Sequence, residues 1–288
     1  MRVGFIGVGA MGVAMAGHVV AKGFEVVAYD TDAAALERAA AAGATPARSL
    51  ADIAQRAEVI VVMVASDSQS RSVVTELLCC GLSSQAVIVV AATNHPRTMI
   101  ELAAAARAAG VGLVDAPVCY GLQGAKQGDL VSLCGGSAED VDYVRPVLLC
   151  YSRSVEHIGG PGYGQLAKAC NNMMHWAACV ANYETLALAK ACGVDAQAMR
   201  QTLLKCPARN TTLERWDSSR FTWQEKDMDV VMELAQQAGL TLPLFGLVDQ
   251  LVKRLGPDQV RALLHEPSAS YLGLEIPVRD LAAVTEES

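Results

Sequence analysis

The sequence has little of what marks a protein that binds nucleic acid or crosses a membrane. Its 288 residues include 30 Asp and Glu against 23 Lys and Arg, and no run of basic residues appears. The net charge of −7 therefore argues against a nucleic-acid partner. The longest apolar runs, 59–65 and 86–92, are far shorter than the ~20 residues that span a bilayer. We expect the partners to be small molecules.

Cysteine occurs nine times, but without the spacing of a metal site or a disulfide framework. No Cys-x-x-Cys pair is present, and Cys79 and Cys80 are adjacent, which is poor geometry for a disulfide. We therefore predict mostly reduced thiols and no metal centre. Four cysteines are predicted to be small core residues: Cys134, Cys150, Cys170 and Cys192. Because the chain opens on strand-like residues, with no charged and then apolar leader segment, we expect a cytoplasmic protein.

Three glycines near the start, Gly7, Gly9 and Gly12, form a Gly-x-Gly-x-x-Gly motif. The motif follows a β-branched segment, 2–6, and precedes a segment with helical apolar spacing, 10–21. In such a unit the first glycine permits a tight turn, the second lets a pyrophosphate approach the backbone, and the third allows close helix packing. The N–H groups at the helix start attract the phosphates. The pattern predicts a dinucleotide-binding β-α-β unit.

An acidic residue, Asp30, ends the second predicted strand, 24–29. It follows the last motif glycine by about 20 residues, the position from which a carboxylate accepts hydrogen bonds from the adenosine ribose. The negative charge of Asp30 would repel the 2′-phosphate of NADP. The next residue is Thr31, not an arginine that could bind this phosphate. The sequence therefore predicts NAD in preference to NADP.

The first half of the chain alternates strand-like and Ala-rich helical segments. Strand-like segments recur at 59–65, 87–92, 112–115 and 130–134, which predicts a parallel, doubly wound sheet. A Gly/Pro break at 159–162 is followed by helical periodicity over about 165–192, with Gly193 as the candidate C-cap. We predict an α/β fold with a Rossmann domain, 1–161, joined through this long helix to an all-helical domain, 162–288. From 265 onwards the periodicity fades, so we expect a tail there.

Two groups of residues are candidates for chemistry because they follow strands or share a helix face. The first is the glycine-rich loop after Asp115, which is equally typical of an ordinary loop. The second is Lys168, Asn172, His175 and Cys179, spaced along one face of the long helix. Lys168 could transfer a proton to or from a substrate oxygen, or be a plain solvated lysine. His175 is a rival base, but we favour a polar residue satisfied between helices.

A third candidate is the pair Lys226 and Asp227, at the start of a predicted helix that runs to about Gln237. Lys226 could reach the cofactor from the second domain. The pair could equally be solvated, with Asp227 stabilising the helix through its dipole.

Together these segments resemble the β-hydroxyacid dehydrogenase family. The likeness lies in GFIGVGAMGVAMA from Gly4, DAPVCYGLQGAKQGDL from Asp115, GYGQLAKACNN from Gly162, and the later Lys-Asp pair. The resemblance implies that Lys168 is the catalytic acid and base with Asn172 as its partner, and that Gly121 belongs to the substrate-carboxylate site. It also implies cofactor contacts from Met11, Thr93 and Lys226.

The chain departs from the family in the substrate loop. The family usually has Ser-Gly where this chain has Cys119 and Tyr120. A thiol is a weaker donor than a hydroxyl, and the Tyr120 ring either fills the site or turns outward. The cofactor-side turn is also changed, to Val-Ala-Ser-Asp at 64–67. We therefore expect Cys119, Tyr120 and Gly121 to decide which substrate binds.

The sequence thus predicts an NAD-dependent oxidoreductase that interconverts a 3-hydroxy acid-like alcohol and its aldehyde or ketone, with substrate in an interdomain cleft. Two alternatives stay open. One is an imine reductase-like enzyme, although such enzymes usually carry Asp or Tyr in place of Lys168. The other is a non-catalytic NAD-binding regulatory protein, suggested by the altered loop. We expect a homodimer or homotetramer because of the long Ala-rich helix.

Overall fold

The computed structural model describes residues 1–218 and 220–280. The chain divides into two compact units, Met1–Lys168 and the residues from Ala169 onward. This division falls inside the long helix Tyr163–Ala191, whereas the sequence predicts a domain boundary at 161/162, just before the helix starts.

The first unit is built on a nine-stranded sheet. In chain order its strands are β1 (Arg2–Ile6), β2 (Glu25–Tyr29), β3 (Thr45–Pro46), β4 (Val59–Val62), β5 (Val87–Val90), β6 (Gly112–Asp115), β7 (Val118–Cys119), β8 (Leu130–Gly135) and β9 (Ser152–Gly159). The order in the sheet is β3-β2-β1-β4-β5-β6-β8-β7, and β9 pairs with β8. The reversal of strand order at β1 confirms the predicted doubly wound arrangement.

The far edge of the sheet differs from the parallel sheet that we predicted. Strand β8 runs antiparallel to β6 and β7, and β9 runs parallel to β8. The reason is that only residues 116–117 separate β6 from β7, too few for a crossover, and one short helix then reverses the chain into β8.

Helices cover both faces of this sheet. They are α1 (Ala10–Ala21), α2 (Ala33–Ala41), α3 (Leu50–Arg56), α4 (Asp67–Cys79), α5 (Pro96–Ala108), α6 (Gly121–Gln127) and α7 (Ala138–Leu148). One apolar cluster joins α1, α2 and α7 to side chains such as Phe5, and a second joins α3, α4 and α5 to side chains such as Ile60. Because both faces are covered, every residue of β4 and β5 is buried.

The second unit is mainly helical. It contains most of α8 (Tyr163–Ala191), then α9 (Ala196–Leu203), α10 (Thr211–Glu214), a 3-10 turn (Trp216–Ser218), α11 (Gln224–Gln237), α12 (Pro243–Val252) and α13 (Pro257–His265). The buried core of this unit includes Tyr183, Trp216 and Met228.

Gly193 ends α8 as predicted. It has a φ of +79°, and the N–H groups of Gly193 and Val194 bond to the carbonyls of Lys190 and Ala189 at 3.0 and 2.9 Å. This is a Schellman motif, which satisfies carbonyls that the helix end would otherwise leave without partners.

A small hairpin makes the second unit less purely helical than predicted. Strands β10 (Ser270–Tyr271) and β11 (Leu274–Glu275) pair antiparallel within the segment that we expected to be a tail. The two residues between them, Leu272 and Gly273, have φ values of +54° and +83°, as a tight hairpin turn requires. The rest of the predicted tail, 281–288, lies outside the described residues.

The cysteine predictions hold in part. All nine cysteines lie in the described ranges and are free thiols, and Cys134 and Cys150 are buried. Cys170 is exposed and Cys192 is half-buried, so the prediction of a core position was wrong for these two. The error arises because an apolar residue on a long helix does not show by itself which face it occupies.

Across residues 1–218 and 220–280 no helix is long and apolar enough to cross a membrane. The same ranges contain no group of three or more His, Cys, Asp or Glu side chains arranged to hold a metal ion.

Candidate active site

The three motif glycines differ in how much space surrounds them. A Cβ on Gly7 would lie 2.3 Å from the carbonyl oxygen of Met63, and one on Gly12 would lie 2.0 Å from that of Gly7. Gly7 also has a φ of +85°. A Cβ on Gly9 would meet nothing within 4 Å. The structure therefore supports a turn role for Gly7, a packing role for Gly12, and open backbone at Gly9 that a ligand can approach.

The start of α1 is suited to a phosphate group. Gly9 is its N-cap and supplies no side-chain hydrogen bond, so the first N–H groups keep their capacity for an anion. Met11 is half-buried in the first turn.

Asp30 is held in one orientation at the end of β2. Its Oδ2 accepts the N–H of Val8 at 2.8 Å, and its Oδ1 accepts the N–H of Asp32 at 2.9 Å. Each oxygen retains a second lone pair for a ribose hydroxyl. The open glycine, the helix start and this fixed carboxylate together fit NAD.

Asp115, at the end of β6, has a role that the sequence did not reveal. Its buried carboxylate accepts the N–H of Gly162 at 2.7 Å and that of Gln165 at 2.9 Å, and so caps the start of α8. Burial raises the pKa of Asp115 to about 6, although the backbone N–H donors oppose the shift. No local pattern could have identified this contact, because its partners lie 47 and 50 residues away.

Gln165 ties the same first turn of α8 to the loop after β5. Its Oε1 accepts the N–H of Asn94 at 2.9 Å, and its Nε2 donates to the carbonyl of Ala92 at 2.8 Å. Thr93, a predicted cofactor contact, lies half-buried between these two residues. The first turn of α8 is thus fixed by the end of β6 and by the loop after β5, and Lys168 lies one turn later.

Lys168 contacts the predicted substrate loop. Its Nζ lies 3.9 Å from the Sγ of Cys119, which is buried. Lys168 itself is half-buried, so it differs from a plain solvated lysine. The structure therefore brings together two candidates that the sequence placed 49 residues apart.

Tyr120 adopts a backbone conformation that normally belongs to glycine. Its φ is +83° and that of Gly121 is +56°. Left-handed backbone costs an L residue about 1–2 kcal/mol, which explains why Gly is usual at this position in the resembling family. The Tyr120 ring lies 4.2 Å from the guanidinium carbon of Arg153. The sequence leaves open whether this ring fills the site or turns outward, and in the structure it lies against Arg153 on β9.

The remaining candidates belong to the second unit. Asn172, one turn after Lys168 on α8, is buried and accepts a hydrogen bond from Asn171 at 3.0 Å. His175 Nδ1 pairs with the Thr212 hydroxyl of α10 at 2.9 Å, which confirms the prediction of a polar residue satisfied between helices.

Lys226 and Asp227 lie in the first turn of α11. The Nζ of Lys226 is 5.9 Å from the centre of the Trp223 ring. Asp227 accepts the indole N–H of Trp176 at 3.1 Å, so its carboxylate has a structural partner. The catalytic role of Asn172 and the cofactor contact of Lys226 stay predictions.

Two family descriptions match the chain and together cover most of it. Residues 2–159 match the NAD binding domain of 6-phosphogluconate dehydrogenase. Residues 162–263 match the family described as NAD-binding of NADP-dependent 3-hydroxyisobutyrate dehydrogenase.

Comparisons with individual proteins agree with these two family matches. The NAD-dependent L-serine dehydrogenase of Pseudomonas aeruginosa is 29% identical over 273 residues, which is 88% of this chain and 92% of that one. The structure of Mycobacterium tuberculosis 3-hydroxyisobutyrate dehydrogenase with L-serine has a TM-score of 0.81 at 25% identity, covering 92% of this chain and 99% of the other. An imine reductase from Myxococcus stipitatus is more distant, with a TM-score of 0.65 and 18% identity over 88% and 92% of the two chains. That last likeness indicates the fold alone.

Proposed function

The chain belongs to the β-hydroxyacid dehydrogenase family, and we propose on that premise that it interconverts a 3-hydroxy acid-like alcohol and its aldehyde or ketone. The cofactor is NAD. The observation that carries the proposal is the contact of Lys168 Nζ with Cys119 Sγ at 3.9 Å, which puts a proton-carrying side chain at the substrate loop.

The cofactor would be held by the first β-α-β unit. The backbone around Gly9 and the start of α1 would receive the pyrophosphate, and Asp30 would accept hydrogen bonds from the ribose hydroxyls. The negative charge of Asp30 disfavours the 2′-phosphate of NADP. When bound, the cofactor would supply the hydride acceptor for oxidation of the carbinol carbon and, in its reduced form, the hydride donor for the reverse reaction. We assign further cofactor contacts to Met11, Thr93 and Lys226, as the family resemblance implies.

Lys168 would move the proton. As a neutral amine its Nζ takes the hydroxyl proton while the alcohol is oxidised, and as an ammonium group it returns that proton to the oxygen during reduction. Asn172, one helical turn along α8, would orient the substrate oxygen or the amine. Cys119, Tyr120 and Gly121 would bind the carboxylate end of the substrate. Because Asp115 and Gln165 fix the start of α8, Lys168 would be positioned before substrate binds.

The two alternative functions have less support. An imine reductase-like activity is not favoured, because Lys168 and Asn172 suit an alcohol and carbonyl couple. A purely regulatory NAD-binding protein would have no need of a half-buried lysine at the loop. Lys168 and its Cys119 contact therefore favour turnover.

We further propose a cytoplasmic homodimer or homotetramer, in which the helical part from residue 162 onward serves substrate binding and assembly. Large apolar side chains exposed in the second unit support self-association; they include Leu188, Leu240, Leu244 and Leu247. Sedimentation of the purified protein tests the assembly. A monomer at micromolar concentration contradicts it.

The substrate test is a panel of 3-hydroxy acids, including L-serine and members with bulky or aromatic side chains. Each is assayed at alkaline pH with NAD and separately with NADP, and followed by the absorbance of the reduced nicotinamide. We expect turnover with one or more of these 3-hydroxy acids and a preference for NAD, and the preferred side chain shows what Cys119 and Tyr120 select. Binding of NADH with no turnover across the panel contradicts the dehydrogenase function. That result would favour an imine reductase-like activity or a regulatory role.

A further inference from the structure

Tyr120 is a bulky residue at a place in the backbone that favours glycine. Its φ of +83° is followed by +56° at Gly121. Such outliers at a functional loop persist only where neighbouring groups hold them. The question is which groups hold Tyr120.

Arg153 lies over the Tyr120 ring and is itself bonded to Asp129. The Arg153 guanidinium carbon is 4.2 Å from the ring centre, and its Nη1 bonds to Asp129 Oδ2 at 2.9 Å. A hydrogen bond with Tyr120 is the main cause that raises the pKa of Arg153, with the charge of Asp129 acting in the same direction. The guanidinium is therefore held by the Asp129 carboxylate and lies over the Tyr120 ring.

Gly124 leaves the space that the Tyr120 side chain occupies. A Cβ at Gly124 would lie 2.6 Å from the Cβ of Tyr120. The N–H of Gly124 bonds to the carbonyl of Tyr120 at 3.1 Å, the first hydrogen bond of α6. The conformation of Tyr120 and the start of α6 are thus coupled.

We propose that Arg153 is a positioning residue that holds Tyr120 in its left-handed conformation, and thereby holds the substrate loop from Cys119 to Gly121 in the form that binds substrate. The inference rests on the proposed function for its kinetic consequence. Its structural part depends only on the Tyr120 contact. Arg153 acts through the tyrosine and does not itself touch the substrate.

The physical basis is a shift in population. If only the held conformation binds substrate, the apparent affinity is reduced by the fraction of molecules that leave it. An exposed cation–π contact changes such an equilibrium by a factor of about 2 to 5. Loss of Arg153 should therefore raise KM by up to about fivefold and change kcat little.

The first experiment measures hydrogen exchange by mass spectrometry over residues 120–129. Arg153→Ala should accelerate exchange in this segment by about 2- to 5-fold. In a Tyr120→Gly background there is no ring to hold, so adding Arg153→Ala should leave the exchange rate over residues 120–129 unchanged. Unchanged exchange in Arg153→Ala, or equal acceleration in both backgrounds, overturns the proposal.

The second experiment measures KM and kcat for a hydroxy acid across the same four proteins. We expect Arg153→Ala to raise KM only when Tyr120 is present. An equal rise in both backgrounds would mean that Arg153 binds the substrate directly, which also overturns the proposal. If the wild-type protein turns over no hydroxy acid, the proposed function fails, whereas the exchange measurement still decides the role of Arg153.

Two further variants sharpen the result. Arg56→Ala removes one positive charge from a similarly exposed Arg–Asp pair of the same unit, Arg56 with Asp52, and should leave exchange over 120–129 unchanged. Arg153→Lys keeps a positive charge and N–H donors but loses the planar guanidinium, so exchange over 120–129 should lie between that of wild type and that of Arg153→Ala. Faster exchange in Arg153→Lys than in Arg153→Ala contradicts the proposal, because the lysine cation would then not hold Tyr120 at all.

Discussion

Replacement of Asp115 by Asn should change how the stability of the protein depends on pH. The carboxyl group is buried at the end of β6, and burial raises its pKa from 3.8 to about 6. In the unfolded chain the group regains its ordinary pKa. Between about pH 4 and 6 the folded protein therefore keeps a proton that the unfolded chain has lost.

The sign and size of the effect follow from this difference. Because the folded pKa is the higher one, the free energy of unfolding falls as pH rises through this window. A shift of about 2 units corresponds to about 3 kcal/mol, since each unit is worth about 1.36 kcal/mol. Asn carries no titrating proton and keeps one oxygen to accept an N–H from the start of α8. The stability of Asp115→Asn relative to wild type should therefore improve by about 3 kcal/mol between about pH 3 and 8.

Urea unfolding of both proteins at several pH values measures this difference. Asp195→Asn is a suitable control, because Asp195 also caps a helix, accepting the Ala198 N–H at 2.7 Å, but at an exposed site. That control should not reproduce the trend. A stability difference between Asp115→Asn and wild type that stays constant across this pH range would refute the account of Asp115.

Four further substitutions test the cofactor and substrate loops. Gly12→Ala would place a Cβ 2.0 Å from the Gly7 carbonyl oxygen and should weaken NADH binding at least about tenfold by distorting the turn. Gly9→Ala should weaken NADH binding but leave the thermal unfolding temperature unchanged. Calorimetry measures both the NADH affinity and the unfolding temperature. Asp30→Asn should narrow the preference for NAD over NADP, checked by the ratio of their kcat/KM values. Cys119→Ser, which restores a hydroxyl donor, should lower KM for small 3-hydroxy acids about 3-fold, and an unchanged KM contradicts a carboxylate contact at this position.

Much of the first unit follows from local sequence patterns. Strand β1, helix α1 and strand β6 have the predicted bounds, because their apolar periodicity and flanking glycines are strong. Strands β7 and β10 were missed since each has two residues, too few for a period. Their pairing depends on distant partners.

The candidate site also contains residues that the sequence reveals and residues that it does not. The glycine motif, Asp30 and Lys168 are visible in the sequence because residue type and spacing carry the chemistry. Asp115 and Gln165 are not visible, because their hydrogen bonds join residues 47 to 73 positions apart. The side on which Tyr120 lies depends on Arg153, which no local pattern connects to the loop.

The most direct test of the central claim is the kcat of Lys168→Ala, measured together with NADH affinity. General acid–base catalysis contributes about 10²- to 10⁴-fold, so we predict a loss of kcat in that range and an NADH Kd within about twofold of wild type. Lys190→Ala, on the same helix but bonded to the carbonyl of Glu266, should retain kcat. Near-native kcat in Lys168→Ala would contradict proton transfer by Lys168.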